Sequence, residues 1–191
     1  MQRGSGRIEI VGTPIELSTS DHQVRLRPVR LDDAELLELW QSAEYRGEFN
    51  DFGIPMRPVR ERIQEDGLVN SQGGTLIVER VADRKPIGTV SWRQVRYGPN
   101  PEAVAWNIGI GLIPEARGHG FGTEAQRLLV EHLFATTPVK RIEATTDVDN
   151  VAEQRSLEKA GFQKEGVLRR AQYRPGGWHD LVICACVRDT L

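Results

Sequence analysis

Residues 114–129, PEARGHGFGTEAQRLL, place three glycines at alternate positions directly before a helical pattern. Glycine allows positive φ and lets a ligand approach the main chain closely. The apolar positions from Phe121 to Leu133 recur at helical spacing and predict a helix over residues 121–135. A helix N-terminus carries unpaired N–H groups and a partial positive charge. The segment therefore predicts a site for a phosphate or pyrophosphate at the start of this helix.

The spacing of the glycines separates three kinds of phosphate-binding loop. A P-loop ends in Gly-Lys-Ser or Gly-Lys-Thr, and this segment has no such lysine. A Rossmann fingerprint places its third glycine where this chain has Thr123, and it lies near the start of a βαβ unit. The spacing that fits is Arg-x-x-Gly-x-Gly, formed by Arg117, Gly120 and Gly122. A glycine-rich turn that only joins a strand to a helix is the alternative interpretation.

Apolar periodicity on either side of the loop predicts the order β-α-α-β-β-β-α-β-α-β-β. Antiparallel strands come first, two βα crossovers follow, and a hairpin around RPGG ends the chain, which indicates a mixed α/β domain. The strand over residues 103–113 contains Gly109 and Gly111, which predict a bulge or the close approach of a ligand. The other expected strands are 24–30, 74–81, 86–97 and 139–146, and the other expected helices are 31–43, 58–68 and 149–161.

Composition indicates a globular cytoplasmic protein. The 191 residues are 39% hydrophobic and 27% charged with a net charge of −2, which argues against nucleic acid as a partner. No apolar run approaches the ~20 residues of a membrane span, and the N-terminus lacks a signal peptide's apolar stretch. The cysteines, Cys184 and Cys186, stand near no Cys/His cluster, so we expect buried side chains and no metal site. We expect an N-terminal extension over residues 1–23 and one domain over 24–191.

The quoted loop, followed by ATTDVDNVAEQRSLEKAGFQKEGVLR at residues 144–169, resembles the GNAT superfamily of N-acetyltransferases. It resembles most the branch of the ribosomal-protein N-terminal acetyltransferases, RimJ and RimL. The resemblance covers residues 24–188. It implies an α/β (mixed α+β) GNAT fold, in which helices flank a mixed, mostly antiparallel sheet. Two parallel strands, here 103–113 and 139–146, then splay apart to admit acetyl-CoA.

The resemblance also implies a set of residues that bind acetyl-CoA. Main-chain N–H groups of the loop hold the pyrophosphate, and the end of the preceding strand pairs with the pantetheine arm. An N–H near Ile110 or Gly111 polarises the acetyl carbonyl. The asparagine at the start of the following helix reaches the arm or caps the helix. These residues are Gly111, Leu112, Ile113, Arg117, Gly118, His119, Gly120, Phe121, Gly122, Thr123 and Asn150.

The chain departs from the family at its acid/base positions. Many relatives carry tyrosine seven residues after this asparagine, or serine three residues after it, and here those positions are Leu157 and Glu153. Many carry glutamate where this chain has Asn107. The remaining candidates for catalytic side chains are Asn107, Ser156 and Tyr173, the last with simple packing on the sheet as its alternative.

This shortage of acid/base groups favours an acceptor amine of low pKa. Near pH 7.4 a lysine amine of pKa ≈ 10.4 is ~0.1% neutral, which costs about 4 kcal/mol; an α-amine costs about 1 kcal/mol. The acceptor is then a protein or peptide N-terminus, an amino acid or an amine-bearing small molecule. The expected acceptor residues are Glu48, Asp51, Trp92 and Arg170, with a solvated rim as the alternative. A non-catalytic acyl-CoA-binding module is the alternative function, and a homodimer is plausible from the resemblance.

Overall fold

The computed structural model describes residues 22–55 and 57–188. Residues 1–21 lie outside this part, so the boundary expected at residue 23 stays a prediction. The strands are β1 (Val24–Pro28), β2 (Val69–Asn70), β3 (Gly73–Arg80), β4 (Pro86–Arg96), β5 (Val104–Leu112), β6 (Arg141–Asp147), β7 (Gln163–Arg174) and β8 (Gly177–Val187). The helices are α1 (Ala34–Leu39), α2 (Ala43–Arg46), α3 (Val59–Asp66), α4 (Phe121–Thr136) and α5 (Val151–Lys159).

The sheet has the strand order β1-β3-β4-β5-β6-β8-β7, with β2 paired to β3. Among the described residues every pairing is antiparallel except that of β5 with β6. These two strands pair at three positions, from Trp106 with Ile142 to Ile108 with Ala144. Beyond Ile108, β5 stays paired only to β4, while β6 stays paired only to β8. The sheet therefore opens into a V above Ile108, which confirms the predicted fold.

The bulge expected in β5 is absent. The register between β4 and β5 runs unbroken from Gly88 with Leu112 to Arg96 with Val104. A Cβ at Gly111 would meet no atom within 4 Å, and a Cβ at Gly109 would meet Ser91 Oγ at 3.3 Å. The prediction of a bulge was wrong because these glycines leave the strand surface open without inserting a residue; the close approach of a ligand stays a prediction.

Apolar side chains cover both faces of the sheet. The larger cluster includes Trp106 and Ile142 of the sheet, Leu128 and Leu133 of α4, and Leu157 of α5. The smaller cluster joins α1 and α3 to Ile77 of β3. Because neighbouring residues of a strand point to opposite faces, α4 covers one face and the α1–α3 pair covers part of the other.

The segment before α3 is more helical than the sequence indicated. The helix expected over residues 31–43 is a 3₁₀ turn (Leu31–Asp33) followed by α1, and the expected loop contains α2 and a 3₁₀ turn (Glu48–Asn50). Trp40 N–H still bonds to Leu36 O, four residues back, but Gln41 N–H and Ser42 N–H bond only three residues back, to Glu38 O and Leu39 O, so the helix unwinds there. None of the helices in the described ranges is long and apolar enough to cross a bilayer.

Buried charges fix β1 against β3. Arg25 and Arg27 alternate with apolar residues along β1, yet each is only 7% exposed. The Nε atoms of both arginines donate to the Glu79 carboxylate at 2.7 and 2.9 Å, and Arg27 makes two further bonds to Asp33. These paired, charge-assisted hydrogen bonds allow the arginines to be buried.

The two cysteines are unpaired thiols on β8. Cys184 is buried and Cys186 is half-buried. Burial raises the pKa of both thiols, that of Cys186 to about 11. Both side chains are therefore neutral near pH 7, where they act as packing groups.

Candidate active site

The glycine loop leaves the start of α4 open. Gly120 is the N-cap, with φ of +85° and no side-chain hydrogen bond to the cap, and Gly118 has φ of +80°. A Cβ at either glycine would meet no atom within 4 Å. The first intrahelical bond runs from Glu124 N–H to Gly120 O at 3.2 Å, so the N–H groups of 121–123 have no partner within the helix. This arrangement suits an anion.

The start of α4 lies over the end of β5. A Cβ at Gly122 would sit 3.5 Å from Ile110 Cδ1 and 3.5 Å from Leu112 Cδ1. The open N–H groups are thus next to the part of β5 that has left β6. A ligand with a phosphate at the loop and an extended arm would fit along β5 toward the closed end of the V.

The other face of β5 carries a strip of exposed backbone. Ile110 and Leu112 face α4, so Gly109 and Gly111 face the α1–α3 side, and both glycines are exposed. Asn107 occupies the next alternate position and lies at the closed end of the V, paired with Glu143. The strip leaves room for an acceptor beside the closed end.

Asn107 is held by a polar cluster. Its Nδ2 donates to Glu143 Oε1 at 3.4 Å, and Glu143 Oε2 accepts from Tyr97 OH at 2.5 Å and from Arg141 Nε at 2.8 Å. Burial and the Glu143 carboxylate both raise the pKa of Tyr97. The hydrogen bonds from Tyr97 and Arg141 hold the Glu143 carboxylate in place, so that it orients the Asn107 amide.

Two predicted residues lie in or directly before α5, and one of them contacts the first turn of α4. Ser156 Oγ is 3.0 Å from Thr123 Oγ1, which joins α5 to the first turn of α4. Asn150 Oδ1 accepts from Glu153 N–H at 3.2 Å and caps α5. A contact of Asn150 with a pantetheine arm stays a prediction.

The family is decided by comparison with known proteins. Residues 23–163 match the family described as Acetyltransferase (GNAT) domain. This chain belongs to the GNAT family. It is an acyl-CoA-dependent transferase, and its structural neighbours include the RimJ and RimL proteins of the expected branch.

Three relatives illustrate the similarity. The probable N-acetyltransferase YjcK of Bacillus subtilis (strain 168) is 33% identical over 171 residues, which cover 85% of this chain and 92% of YjcK. RimJ of Mycobacterium smegmatis, solved with CoA-disulfide, has a TM-score of 0.67 at 23% identity and covers 86% of this chain and 81% of its own. RimL, the ribosomal L7/L12 α-N-protein acetyltransferase solved with coenzyme A, has a TM-score of 0.73 at 20% identity. The match covers 93% of this chain and 99% of the RimL chain.

This GNAT domain contains a half-buried carboxyl, that of Glu153, at a position that the sequence marked only as a departure from the family. Gln126 Nε2 of α4 donates to Glu153 Oε1 of α5 at 2.6 Å. Burial raises the pKa of Glu153 to about 7, although the bond from Gln126 acts in the opposite direction. The only sequence signal was a glutamine inside the apolar stripe of α4, which indicates a buried polar partner.

The side chain of Arg117, in the glycine loop, binds main-chain carbonyl groups. Its Nε donates to Leu112 O at 3.0 Å and its Nη2 to Tyr45 O at 2.6 Å. His119 is exposed, and its ring lies 5.8 Å from that of Phe121, centroid to centroid. Contacts of Arg117 and His119 with the pyrophosphate stay predictions.

The predicted acceptor residues have different environments. Glu48 is exposed, Asp51 Oδ1 accepts from Gly53 N–H at 3.1 Å, and the exposed Arg170 donates its N–H to Asp180 Oδ1 at 2.7 Å. Trp92 pairs with Ile108 and is only 4% exposed in the core on the α4 side. It therefore lies on the face opposite to Asn107 and does not line the open strip, contrary to our expectation.

Tyr173 lies at the surface of the β7–β8 hairpin. It is 62% exposed, and its ring meets that of Trp178 edge-to-face with centroids 5.5 Å apart. The two rings therefore pack mainly against each other. A catalytic role for Tyr173 stays a prediction.

The hairpin is fastened to the segment after α2 by a buried arginine that the sequence did not single out. Arg174 is 4% exposed and pairs with the buried Asp147 at the end of β6. Its Nη1 donates to Glu48 O at 3.3 Å, and its guanidinium lies 5.8 Å from the Phe49 ring centroid. Its partners come from two segments, the end of β6 and the 3₁₀ turn Glu48–Asn50, so Arg174 fixes the β7–β8 hairpin relative to both.

Proposed function

We propose that this protein transfers the acetyl group of acetyl-CoA to a primary amine, by direct attack of the amine within a ternary complex. The observation that carries the proposal is the uncapped start of α4 beside the opening between β5 and β6. Membership of the GNAT family and structural neighbours solved with CoA support it. The acetyl thioester would supply the activated carbonyl.

The residues present fit such a co-substrate. The N–H groups at the start of α4 have no intrahelical partner, and the space over Gly118 and Gly120 is open, so a diphosphate would satisfy these donors. The free edge of β5 would hydrogen bond to the amides of the pantetheine arm. A main-chain N–H near Ile110 or Gly111 would polarise the acetyl carbonyl.

Bond formation requires a neutral amine next to the closed end of the V. The nitrogen forms a bond to the acetyl carbon, the carbon–sulfur bond breaks, the thiolate takes up a proton and the amine loses one. Asn107 lies where the amine would enter, and its Oδ1 would accept a hydrogen bond from the amine while its Nδ2 stays on Glu143. Positioning and carbonyl polarisation then supply most of the acceleration.

The state of the nearby carboxylates supports an α-amine or another amine of low pKa. Glu143 accepts three hydrogen bonds, and Asp147 is paired with Arg174. Neither is placed to remove a proton from a lysine ammonium. An α-amine is already about a quarter neutral near pH 7.4, so it needs little help. A cytoplasmic location and a homodimer stay predictions from the sequence.

The binding step is tested with Thr123→Glu, and Thr136→Glu serves as the matched control at the other end of α4. Thr123 lies in the first turn of α4, where the helix dipole stabilises a carboxylate, whereas a bound diphosphate would be repelled by it. We expect calorimetric CoA affinity to fall about tenfold or more in Thr123→Glu, on the order of 1.4 kcal/mol, and to stay unchanged in Thr136→Glu.

Turnover is tested by release of CoA thiol from acetyl-CoA with a panel of peptides, amino acids and amines, followed with a thiol reagent. We expect thiol release to be faster with peptides or amino acids that carry a free α-amine than with lysine acetylated at its α-nitrogen, at equal concentration. If CoA fails to bind the wild type, the proposal is wrong. Tight CoA binding with no thiol release for any amine would instead favour the acyl-CoA-binding module.

A further inference from the structure

We infer that Arg117 is a positioning residue that couples the CoA-binding loop to the acceptor side. It would do so by holding the acceptor loop, defined here as residues 44–55. The inference rests on the proposed function, because it assumes that CoA binds at the start of α4. The resemblance places Arg117 in the loop whose main-chain N–H groups hold the pyrophosphate, and the inference adds a role for its side chain.

The contacts of Arg117 join three segments. The residue ends the 3₁₀ turn Pro114–Ala116 and precedes Gly118 directly. Its Nε donates to Leu112 O at the end of β5, and its Nη2 donates to Tyr45 O, which lies 72 residues away in the sequence. A Cβ at Gly47 would lie 3.7 Å from its Nη1. One side chain thus links the glycine loop, the end of β5 and the acceptor loop.

The geometry favours bracing over phosphate binding. The planar guanidinium directs its donors along fixed lines, and two of these lines already end on main-chain carbonyls. Arg117 is also exposed, so solvent and salt weaken any attraction to a diphosphate. The N–H groups at the start of α4 supply the directed contacts for the phosphates without it.

The acceptor loop depends on such anchors because it buries little of itself. Phe52 and Ile54 are 39% and 67% exposed. On the hairpin side, Arg174 Nη1 holds Glu48 O, and Pro175 Cγ would contact a Cβ at Gly53 at 2.9 Å. On the side of the V, the described contacts include the bond from Arg117 to Tyr45 O. When CoA fixes the glycine loop, Arg117 transmits that order to the loop that faces the amine.

The test uses Arg117→Lys, with Arg127→Lys on the exposed side of α4 as the matched control. Lysine keeps the charge but has a single ammonium in place of the planar fork, so it does not hold both carbonyls in this geometry. Three readouts are compared with the wild type: calorimetric CoA affinity, hydrogen exchange of residues 44–55 with and without CoA, and steady-state kinetics with the best amine of the panel.

We expect CoA affinity in Arg117→Lys to stay within about threefold of the wild type, because the main-chain donors remain. CoA should slow exchange in residues 44–55 of the wild type and of Arg127→Lys. In Arg117→Lys this slowing should be smaller by about fivefold or more, which is the lower end of the coupling usually found between two binding sites. KM for the amine should rise by a similar factor, with a smaller change in kcat.

Two results overturn the inference while the proposed function stands. One is CoA-induced slowing in Arg117→Lys equal to that of the wild type. The other is a loss of CoA affinity beyond about tenfold in Arg117→Lys, which would place this side chain on the phosphates. Absence of CoA binding to the wild type overturns both proposals, and calorimetry detects it before any variant is made.

Discussion

The half-buried carboxyl of Glu153 makes the stability of this GNAT domain depend on pH. Burial between α4 and α5 raises its pKa from 4.5 to about 7. The groups that face it include Gln126 of α4, and Cys184 of β8 senses its charge. Replacing it by glutamine, Glu153→Gln, removes the titration and keeps the shape. The new amide would also offer a donor to the Gln126 Oε1, a buried atom that has no partner.

The magnitude follows from the displacement of the pKa. A rise from 4.5 to about 7 is about 2.5 pKa units, or about 3 kcal/mol at 1.36 kcal/mol for each unit. Since the folded protein holds this proton more tightly than the unfolded chain, its stabilising contribution is complete below pH 4.5. As the pH rises to 7, the unfolded chain ionises first, so the free energy of unfolding falls by this amount and stays low above pH 7.

The assay is urea unfolding of the wild type and Glu153→Gln between pH 5 and pH 8. We expect the free energy of unfolding of the variant to rise relative to that of the wild type as the pH rises. Near pH 8 it should exceed the wild-type value by up to about 3 kcal/mol. This corresponds to a difference in Tm of about 6 to 12 °C for a domain of this size. Glu158→Gln, which removes an exposed carboxyl from the same helix, controls for the change in helix charge. Parallel stability curves, within about 0.5 kcal/mol over the whole range, would refute the reasoning.

Three further experiments test the sheet and its anchors. Gly111→Val should leave the free energy of unfolding within about 1 kcal/mol, because its Cβ points into open space, yet thiol release from acetyl-CoA should drop as the strip fills; unchanged turnover would contradict the site. Asp147→Asn should lower the free energy of unfolding by about 3–5 kcal/mol by leaving the Arg174 guanidinium buried without its counter-charge, and adding Arg174→Met should restore most of it in the same urea assay. Gly74→Ala should destabilise by about 1–3 kcal/mol because its Cβ would lie 2.3 Å from the Trp92 ring, and tryptophan fluorescence follows the unfolding.

Local patterns in the sequence were sufficient for the elements that carry the phosphate site. The helix expected over 121–135 is Phe121–Thr136, and the strand expected over 103–113 is Val104–Leu112. Both signals lie within a short window, because apolar spacing and glycine preferences act between residues that are near in sequence. The helix expected over 31–43 was less accurate, because its last residues form turns whose packing against the sheet no local pattern records.

The face on which a residue lies and its environment depended on long-range packing. Trp92 was expected beside the acceptor, but its register with Ile108 turns it into the core. The roles of Asp147 and Arg174 arise from a contact between residues 27 apart in the sequence. These features depend on strand register and burial, which are set only when distant segments meet.

The sequence by itself determined the family, the strand–loop–helix unit and the glycines that open it, since these follow from residue type and spacing. Only the tertiary structure decided three features: the proton affinity of Glu153, the attachment of Arg117 to Tyr45 O and the exposed strip along β5. The physical reason is that desolvation, hydrogen-bond geometry and open surface depend on atoms brought together from separate parts of the chain.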